Sequence, residues 1–113
     1  MRPRNWKLAI AVVDPAGELV YFYRMDGTQN ASNQIAINKA RTSARFRRPT
    51  QVFVDLMQTP TGAYVPTLDP TIAVSPGGFP LVVGGRIVGA IGCSGAMGTQ
   101  DGVACQAGAN AVR

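Results

Sequence analysis

The amino-acid sequence predicts an α+β protein in which helices pack on an antiparallel sheet. Two patterns that read as β-hairpins carry this prediction, because strands joined by a tight turn pair antiparallel. The first pattern lies over residues 7–24 and the second over residues 81–92. A helical segment rich in alanine and arginine lies between them. The chain has 113 residues, and this length predicts a single domain over 1–113.

The first hairpin is the strongest local signal. Large apolar residues alternate with alanine over residues 7–13, which is typical of a buried strand with one tight face. Asp14-Pro15-Ala16-Gly17 has Asp, Pro and Gly at the positions that a type I turn favours. The aromatic and aliphatic run over 19–23 then predicts the returning strand.

Helices are predicted over residues 31–47 and 51–58, separated by Pro49, which ends the first of them. Small residues recur on one side of the first helix, so its backbone can lie close to the sheet. These residues are Ala36, Ala40, Ser43 and Ala44. Arginines 41, 45 and 48 lie on another side, which we interpret as a solvated face. Asn30 or Ser32 is expected to cap the first helix and Thr50 the second.

The second half of the chain adds three strands and a helix. Gly84-Gly85 supplies the positive φ angles of a primed turn, so residues 81–83 and 86–92 form the second hairpin. Residues 59–70 and 75–80 are rich in proline and glycine and are predicted to be loops. The predicted elements that remain are a short strand over 71–74 and a terminal helix over 100–113, capped by Thr99. The expected order is therefore β-β-α-α-β-β-β-α.

Composition excludes several classes of protein. Hydrophobic residues make up 46% and charged residues 15%, which is opposite to the balance of a disordered chain. Near-apolar stretches such as Leu8–Val13 are far shorter than the ~20 residues of a membrane-spanning helix, so no membrane partner is expected. The chain has no histidine, which excludes Ser-His-Asp catalysis and histidine-bound metal. The net charge of +5 is scattered and matches no nucleic-acid-binding motif, so we predict no nucleic-acid partner.

The two cysteines, Cys93 and Cys105, do not form a CxxC motif. We interpret them as small buried hydrophobic residues rather than as a disulfide, as is usual in a reducing compartment. The N-terminal residues lead directly into a strand pattern rather than into a signal peptide. Both observations predict a cytoplasmic protein.

A glycine-rich stretch over 89–98 lies where the last strand meets the last helix. It matches neither the Walker A motif nor a dinucleotide fingerprint, so we interpret it as close packing that a small ligand could touch. Arg24, Asp26, Lys39 and Asp101 are the charges nearest the predicted turns and the small helix face. They fit either ordinary surface pairing or the neutralisation of an acidic ligand, and the spacing does not choose between these.

Several motifs in one order resemble the GlcG/HbpS-like family of small bacterial proteins, which are often labelled haem-binding or haem-degrading. The resemblance covers about residues 9–112. The matching segments are 11–20, 24–27, 35–36, 39–40, 48–50, 77–83, 87–95, Asp101 and 105–108. The resemblance implies a profilin-like α/β/α layering with a five-stranded antiparallel sheet, and it implies homo-oligomers.

Family members usually begin with an amphipathic helix, whereas only residues 1–6 precede the first strand here. We therefore expect that N-terminal helix to be missing or shortened. The sheet face that it would cover is then exposed and favours self-association.

The positions that the resemblance places in a ligand cleft are Arg24, Asp26, Lys39, Gly78 and Ser94. In this interpretation Arg24 and Lys39 neutralise ligand carboxylates, and the loops at Gly77-Gly78 and Gly92–Gly95 shape the cleft. If haem is the cofactor, its iron ligand has to be Met, Cys, Tyr or a hydroxyl, because histidine is absent. Met25, Cys93 and Tyr64 are the candidates, and no catalytic residue or metal site is predicted.

The predicted function is that of a non-enzymatic, oligomeric small-molecule-binding protein. Its ligand would be haem or another tetrapyrrole, or another acidic small molecule. Two alternatives stay open. One is an enzyme or enzyme accessory that acts on a small organic acid with Lys39 or Asp26 as the acid/base, and the other is a structural assembly module.

Overall fold

The computed structural model describes residues 7–95 and 98–111, with the side chains of residues 98 and 99 outside the description. It forms a four-stranded antiparallel sheet in the order β2-β1-β4-β3. The strands are β1 (Ala9–Val13), β2 (Leu19–Arg24), β3 (Gly78–Val83) and β4 (Arg86–Ser94). The helices are α1 (Ala31–Phe46), α2 (Gln51–Met57) and α3 (Gly98–Asn110), and a 3-10 turn spans Gly62–Thr67. The α+β class is confirmed.

Both predicted hairpins are present. In the first, the backbone N–H of Gly17 donates to the carbonyl of Asp14 over 2.9 Å, which closes the predicted turn. In the second, Gly84 and Gly85 have φ angles of +59° and +78°, as a primed turn requires. Because β1 also pairs with β4, the two hairpins join into one sheet.

Helix α1 covers one face of the sheet through its small residues, as predicted. Ala36, Ala40 and Ala44 are buried against Ala11, Ala90 and their neighbours in β1 and β4. The approach is so close that a Cβ atom added at Gly92 would lie 2.3 Å from the carbonyl oxygen of Ala36. Small residues on both sides therefore bring the helix backbone into direct contact with the sheet.

Helix α3 covers part of the opposite face. Its Ala104 and Cys105 pack into a second apolar cluster with Leu8, Leu81 and Ile91. The result is a layer of helix on each side of the sheet, and α1 and α3 are the two outer layers.

The prediction of a five-stranded sheet is wrong, because the described residues form four strands. Residues 71–74, expected to be a strand, have no strand partner. The N–H of Thr71 donates to the Asp69 carboxylate over 2.7 Å, and that of Ala73 donates to the Thr42 hydroxyl over 3.0 Å. Side-chain oxygens therefore accept two backbone N–H groups that would donate to a neighbouring strand if this segment joined the sheet. The segment bonds to α1, and β3 is left as the edge strand.

Strand β3 begins at Gly78, earlier than predicted, because Thr50 fixes the chain there. The Thr50 N–H donates to the Gly78 carbonyl, and the Gly78 N–H donates to the Thr50 hydroxyl, each over 3.0 Å. The expectation that Thr50 caps α2 is wrong, since its side chain makes no cap hydrogen bond there. Asn30 likewise makes none at α1.

Two arginines of the expected solvated face of α1 have a structural role. The Nε of Arg41 donates to the Gly17 carbonyl over 3.0 Å, and that of Arg45 donates to the Ala16 carbonyl over 3.3 Å. They attach α1 to the turn between β1 and β2.

Strand β2, at the other edge of the sheet, exposes a run of large apolar residues. Val20 is 66%, Tyr21 57% and Tyr23 50% exposed, and because successive side chains point to opposite faces, both faces of the sheet are exposed at this edge. Self-association through it stays a prediction, and residues 1–6 lie outside the described part of the chain. Among the helices described, none is long and apolar enough to cross a membrane.

The contact of α1 with the sheet predicts the effect of one methyl group. Gly92→Ala should lower the free energy of unfolding by about 1–3 kcal/mol or more, because the new Cβ meets helix backbone on two sides. Gly102→Ala on α3 is the matched control, since its Cβ meets Pro76 at an ordinary 3.6 Å. The control should be neutral or gain about 0.5–1 kcal/mol from helix propensity. Urea unfolding measures both, and equal effects would contradict this account of the packing.

Candidate functional site

A buried ion pair joins the two helices that lie on opposite faces of the sheet. Lys39 of α1 is 1% exposed, and its Nζ lies 3.0 Å from Oδ2 of Asp101 on α3. The same Nζ donates to the carbonyl of Cys93 in β4 over 2.9 Å. Three elements therefore meet at one ammonium group.

Glycine makes room for this pair. Gly77 has a φ of +125°, and a Cβ there would lie 3.1 Å from Nζ of Lys39 and 2.8 Å from the Cys93 carbonyl oxygen. The Gly77 carbonyl accepts the N–H of Cys93 over 3.0 Å. A Cβ atom added at Gly92 would lie 3.1 Å from the Cβ atom of Lys39. The lysine side chain thus passes between glycine backbones to reach α3.

Burial dominates the electrostatics of the pair. Loss of solvation lowers the pKa of Lys39, while the charge of Asp101 and its hydrogen bond act in the opposite direction. The ammonium is already held by a carboxylate and a carbonyl. Two of the three N–H donors of Lys39 are therefore used within the protein.

A disulfide joins the same two elements. Cys93 of β4 and Cys105 of α3 are bonded, with Cα atoms 5.7 Å apart. The expectation of two free thiols is wrong, because packing of α3 on β4 brings the cysteines within bridging distance. Asp101 lies one helical turn before Cys105, so an ion pair and a covalent bond hold the same face of α3.

A surface groove runs between α3 and the edge strand β3, and we call it the α3–β3 groove. Its wider part has a volume of ≈ 690 Å³ and its narrower part ≈ 480 Å³, and Phe79 lines both. The wider part lies over Gly77, and the narrower part continues to Gly84 and Gly85. The side chains that line the groove are Pro49, Gln51, Pro76, Phe79, Pro80, Val82, Val103, Gln106, Ala107, Ala109 and Asn110.

The structure brings together three of the five predicted site residues. Lys39 is buried, and a Cβ at Gly78 would lie 2.5 Å from the Lys39 carbonyl oxygen. Ser94, 5% exposed, directly follows Cys93, whose carbonyl accepts from Lys39. Arg24 is exposed two strands away, where its guanidinium donates to Asn30 over 3.2 Å. Asp26 is exposed in the turn after β2.

None of these five residues lines the α3–β3 groove, although Gly77, beside Gly78, does. Sequence reasoning missed the groove because its lining is spread over α2, β3, α3 and the loops between them. The sequence signal that could have indicated the groove is the presence of apolar residues on α3 that do not pack into the core. Val103, 56% exposed, is the clearest of these.

The proposed iron ligands do not converge. Cys93 is held in the disulfide, Met25 packs against the α3-side core, and Tyr64 is exposed in the 3-10 turn. Within residues 7–95 and 98–111, no cluster of three acidic, cysteine or histidine side chains could hold a metal. None of the residues that line the groove is His, Cys, Met or Tyr, the side chains that usually bind haem iron.

Comparison with known proteins identifies the family. A family model described as haem-degrading protein HbpS-like matches residues 1–110. This chain belongs to the HbpS-like family. It is 38% identical to protein GlcG of Escherichia coli over 90 residues, which are 80% of this chain and 66% of GlcG. It thus spans just under two thirds of the length of that relative.

A second relative is an uncharacterized 15.0 kDa protein of Citrobacter freundii from the dhaT-dhaS intergenic region. It is 32% identical over 99 residues, which cover 86% of this chain and 70% of that protein. The predicted membership of the GlcG/HbpS-like family is confirmed.

Solved structures show the same fold. Protein ORFY of Klebsiella pneumoniae superposes with a TM-score of 0.88 at 25% identity, over 95% of this chain and 75% of that one. A double mutant of Streptomyces reticuli HbpS gives 0.85 at 29% identity, over 97% and 74%. A PduOC:haem complex gives 0.86 at 24% identity, over 97% and 81%, and at that identity it supports the fold alone.

The buried ion pair should dominate the stability of this region. Lys39→Met leaves Asp101 buried without its cation, so the free energy of unfolding should fall by about 3–5 kcal/mol. Arg45→Gln is the control, because its pair with Asp69 is partly exposed and its hydrogen bond to the Ala16 carbonyl is exposed, so each is worth at most about 1 kcal/mol. Denaturant unfolding compares the two variants, and a cost below 1 kcal/mol for Lys39→Met would contradict the assigned role.

The disulfide predicts a thiol count and a stability change. The unfolded protein without reductant should show no reactive thiol, and it should show two after reduction. Reduction should lower stability by about 2–4 kcal/mol, since the bond restrains the unfolded chain. A thiol reagent and thermal melting measure these effects, with the Cys93→Ala/Cys105→Ala variant as the reductant-insensitive control. Two reactive thiols before reduction would contradict the pairing.

Proposed function

We propose that this protein binds a planar, largely apolar and acidic small molecule of the tetrapyrrole class in the α3–β3 groove. The observation that carries the proposal is the groove itself, with parts of ≈ 690 Å³ and ≈ 480 Å³ that share Phe79. Each part falls in the range of about 300–1,000 Å³ that is usual for small-molecule sites.

The chemistry of the lining favours a flat apolar ligand with polar edges. The ring of Phe79 and the prolines at 49 and 76 offer flat apolar surfaces, and Val103 and Ala107 of α3 add aliphatic contacts. The groove also contains the side-chain amides of residues 51, 106 and 110, which can donate or accept hydrogen bonds. Such a lining suits a macrocycle that is apolar on its faces and polar at its edge.

Charge favours an acidic ligand. The chain carries 11 Lys and Arg against 6 Asp and Glu, so its field attracts anions over a distance. Membership of the HbpS-like family, whose model is described as haem-degrading, supports the tetrapyrrole class. The proposal rests on the macrocycle and its carboxylates, and iron ligation has no part in it.

Binding is favoured over catalysis by the state of Lys39. Its amine is one of the two groups, with the Asp26 carboxylate, that the enzymatic alternative would use as acid or base. That amine is 1% exposed, is paired with Asp101 and lies behind Gly77. Because Lys39 is buried, we expect residues of the groove to make the main contacts with the ligand. The predicted contacts of Lys39 and Arg24 with ligand carboxylates stay predictions.

Titration of the purified protein with haemin and with metal-free protoporphyrin IX tests the proposal. Both should bind saturably with a shifted Soret band, and their affinities should agree within a few-fold because no axial ligand is required. Val103→Glu places a carboxylate in the groove and should weaken binding about tenfold or more, which corresponds to about 1.4 kcal/mol.

Val20→Glu, on the exposed edge strand β2, is the matched control and should bind like the original chain. Equal binding by both variants would show that the ligand does not bind in the groove. Spectra identical to those of the free porphyrins would end the tetrapyrrole assignment.

A further inference from the structure

The arginines of the described chain divide into two groups. Four of them are engaged by the protein: Arg24 donates to Asn30, Arg41 to Gly17, Arg45 to Ala16 and to Asp69, and Arg48 to Phe46. The side chains of Arg47 and Arg86 make no hydrogen bond or ion pair with any residue that the structure describes. Both are exposed.

These two arginines line the same pocket, although they are 39 positions apart in the sequence. The pocket has a volume of ≈ 370 Å³, and its other lining residues are Pro15, Ala44, Gly85 and Ile87. None of the lining residues is acidic. Asp14, next to Pro15, directs its Oδ1 to the N–H groups of its own turn. The pocket is therefore cationic and has no carboxylate of its own among its lining residues.

The backbone at Arg47 adds a second, independent observation. Its φ of +57° makes it the one non-glycine residue with positive φ in the part of the chain described. Helices that end in this way usually place glycine there, because a side chain costs roughly 1–2 kcal/mol in the left-handed region. Arg47 therefore occupies a backbone conformation that favours glycine. Residues in unfavourable backbone conformations concentrate at functional sites.

The pocket and the narrower part of the α3–β3 groove meet at one residue. Gly85 lines both the pocket and the narrower part of the groove, where the chain turns from β3 into β4. Arg86 is held at this turn by the pairing of Val83 with Arg86. A ligand whose apolar body lies in the narrower part of the groove would have to extend past Gly85 for its acidic edge to reach Arg47 and Arg86.

We propose that Arg47 and Arg86 form a carboxylate-binding site for the acid groups of the groove ligand. This proposal rests on the function proposed above and names the part of the site that recognises charge. A guanidinium binds a carboxylate through two parallel N–H···O bonds, and two arginines at one pocket can receive two carboxylates or clamp one.

The test compares metal-free protoporphyrin IX, a diacid, with its dimethyl ester. Arg47→Gln and Arg86→Gln should each weaken binding of the diacid about tenfold, as expected for loss of a charged hydrogen-bonded pair of about 1.4 kcal/mol. Binding of the ester should change less than about twofold. Arg48→Gln is the control, because it removes the same charge one position away and does not line the pocket.

The Arg47→Gly variant distinguishes a ligand-binding role of Arg47 from a structural role, because stability and affinity are then expected to change in opposite directions. Glycine relieves the positive φ, so the melting temperature should rise while affinity for the diacid falls. A fall in melting temperature with unchanged affinity would show a purely structural arginine and overturn the proposal.

The remaining outcomes separate the two proposals. If Val103→Glu weakens both porphyrins but the arginine variants bind the diacid normally, the carboxylate site is overturned and the groove stands. If Arg48→Gln loses as much affinity as Arg86→Gln, net charge explains the effect and the site is overturned. If neither porphyrin binds saturably, both proposals fall.

Discussion

The fold depends on one ion pair between helices on opposite faces of the sheet. Lys39 extends from α1 on one face to Asp101 of α3 on the other. An ammonium group that is 1% exposed is tolerable only when its hydrogen bonds are made, and here a carboxylate and the Cys93 carbonyl accept them. The pair thereby connects α1, the end of β4 and α3 through one ammonium group. Glycine at 77 and 92 follows from it, because a Cβ at either position would press on the lysine.

Placement of α3 in turn creates the surface that binds ligand in our proposal. The ion pair and the disulfide hold the inner face of α3 on β4, so its outer residues stand beside the edge strand β3 as one wall of the groove. Because residues 71–74 bond to α1 instead of adding a fifth strand, β3 remains at the edge. The groove is thus a consequence of where the sheet stops.

The residues behind the family resemblance serve packing as much as chemistry. Gly78 and Gly92 lie where helix backbone approaches the sheet, and Lys39 with Asp101 supplies the buried pair. Such positions tolerate few side chains, which explains why a short list of motifs identifies the family although none of them resembles a catalytic site. The residues that we propose for ligand recognition, Phe79, Arg47 and Arg86, lie on the surface around this framework.

The sequence by itself determined the elements whose signals are local. Alternation over 7–13, the turn at Asp14–Gly17, the Gly84-Gly85 turn and the small face of α1 depend on neighbours a few residues apart, and all are present. Tertiary structure decided what depends on partners distant in sequence. Cys93 is bonded to Cys105 because α3 packs on β4, and residues 71–74 bond to Asp69 and Thr42 instead of forming a strand. Arg47 and Arg86 line one pocket although they are distant in sequence. Periodicity carries no information on such meetings, since they depend on how the layers stack.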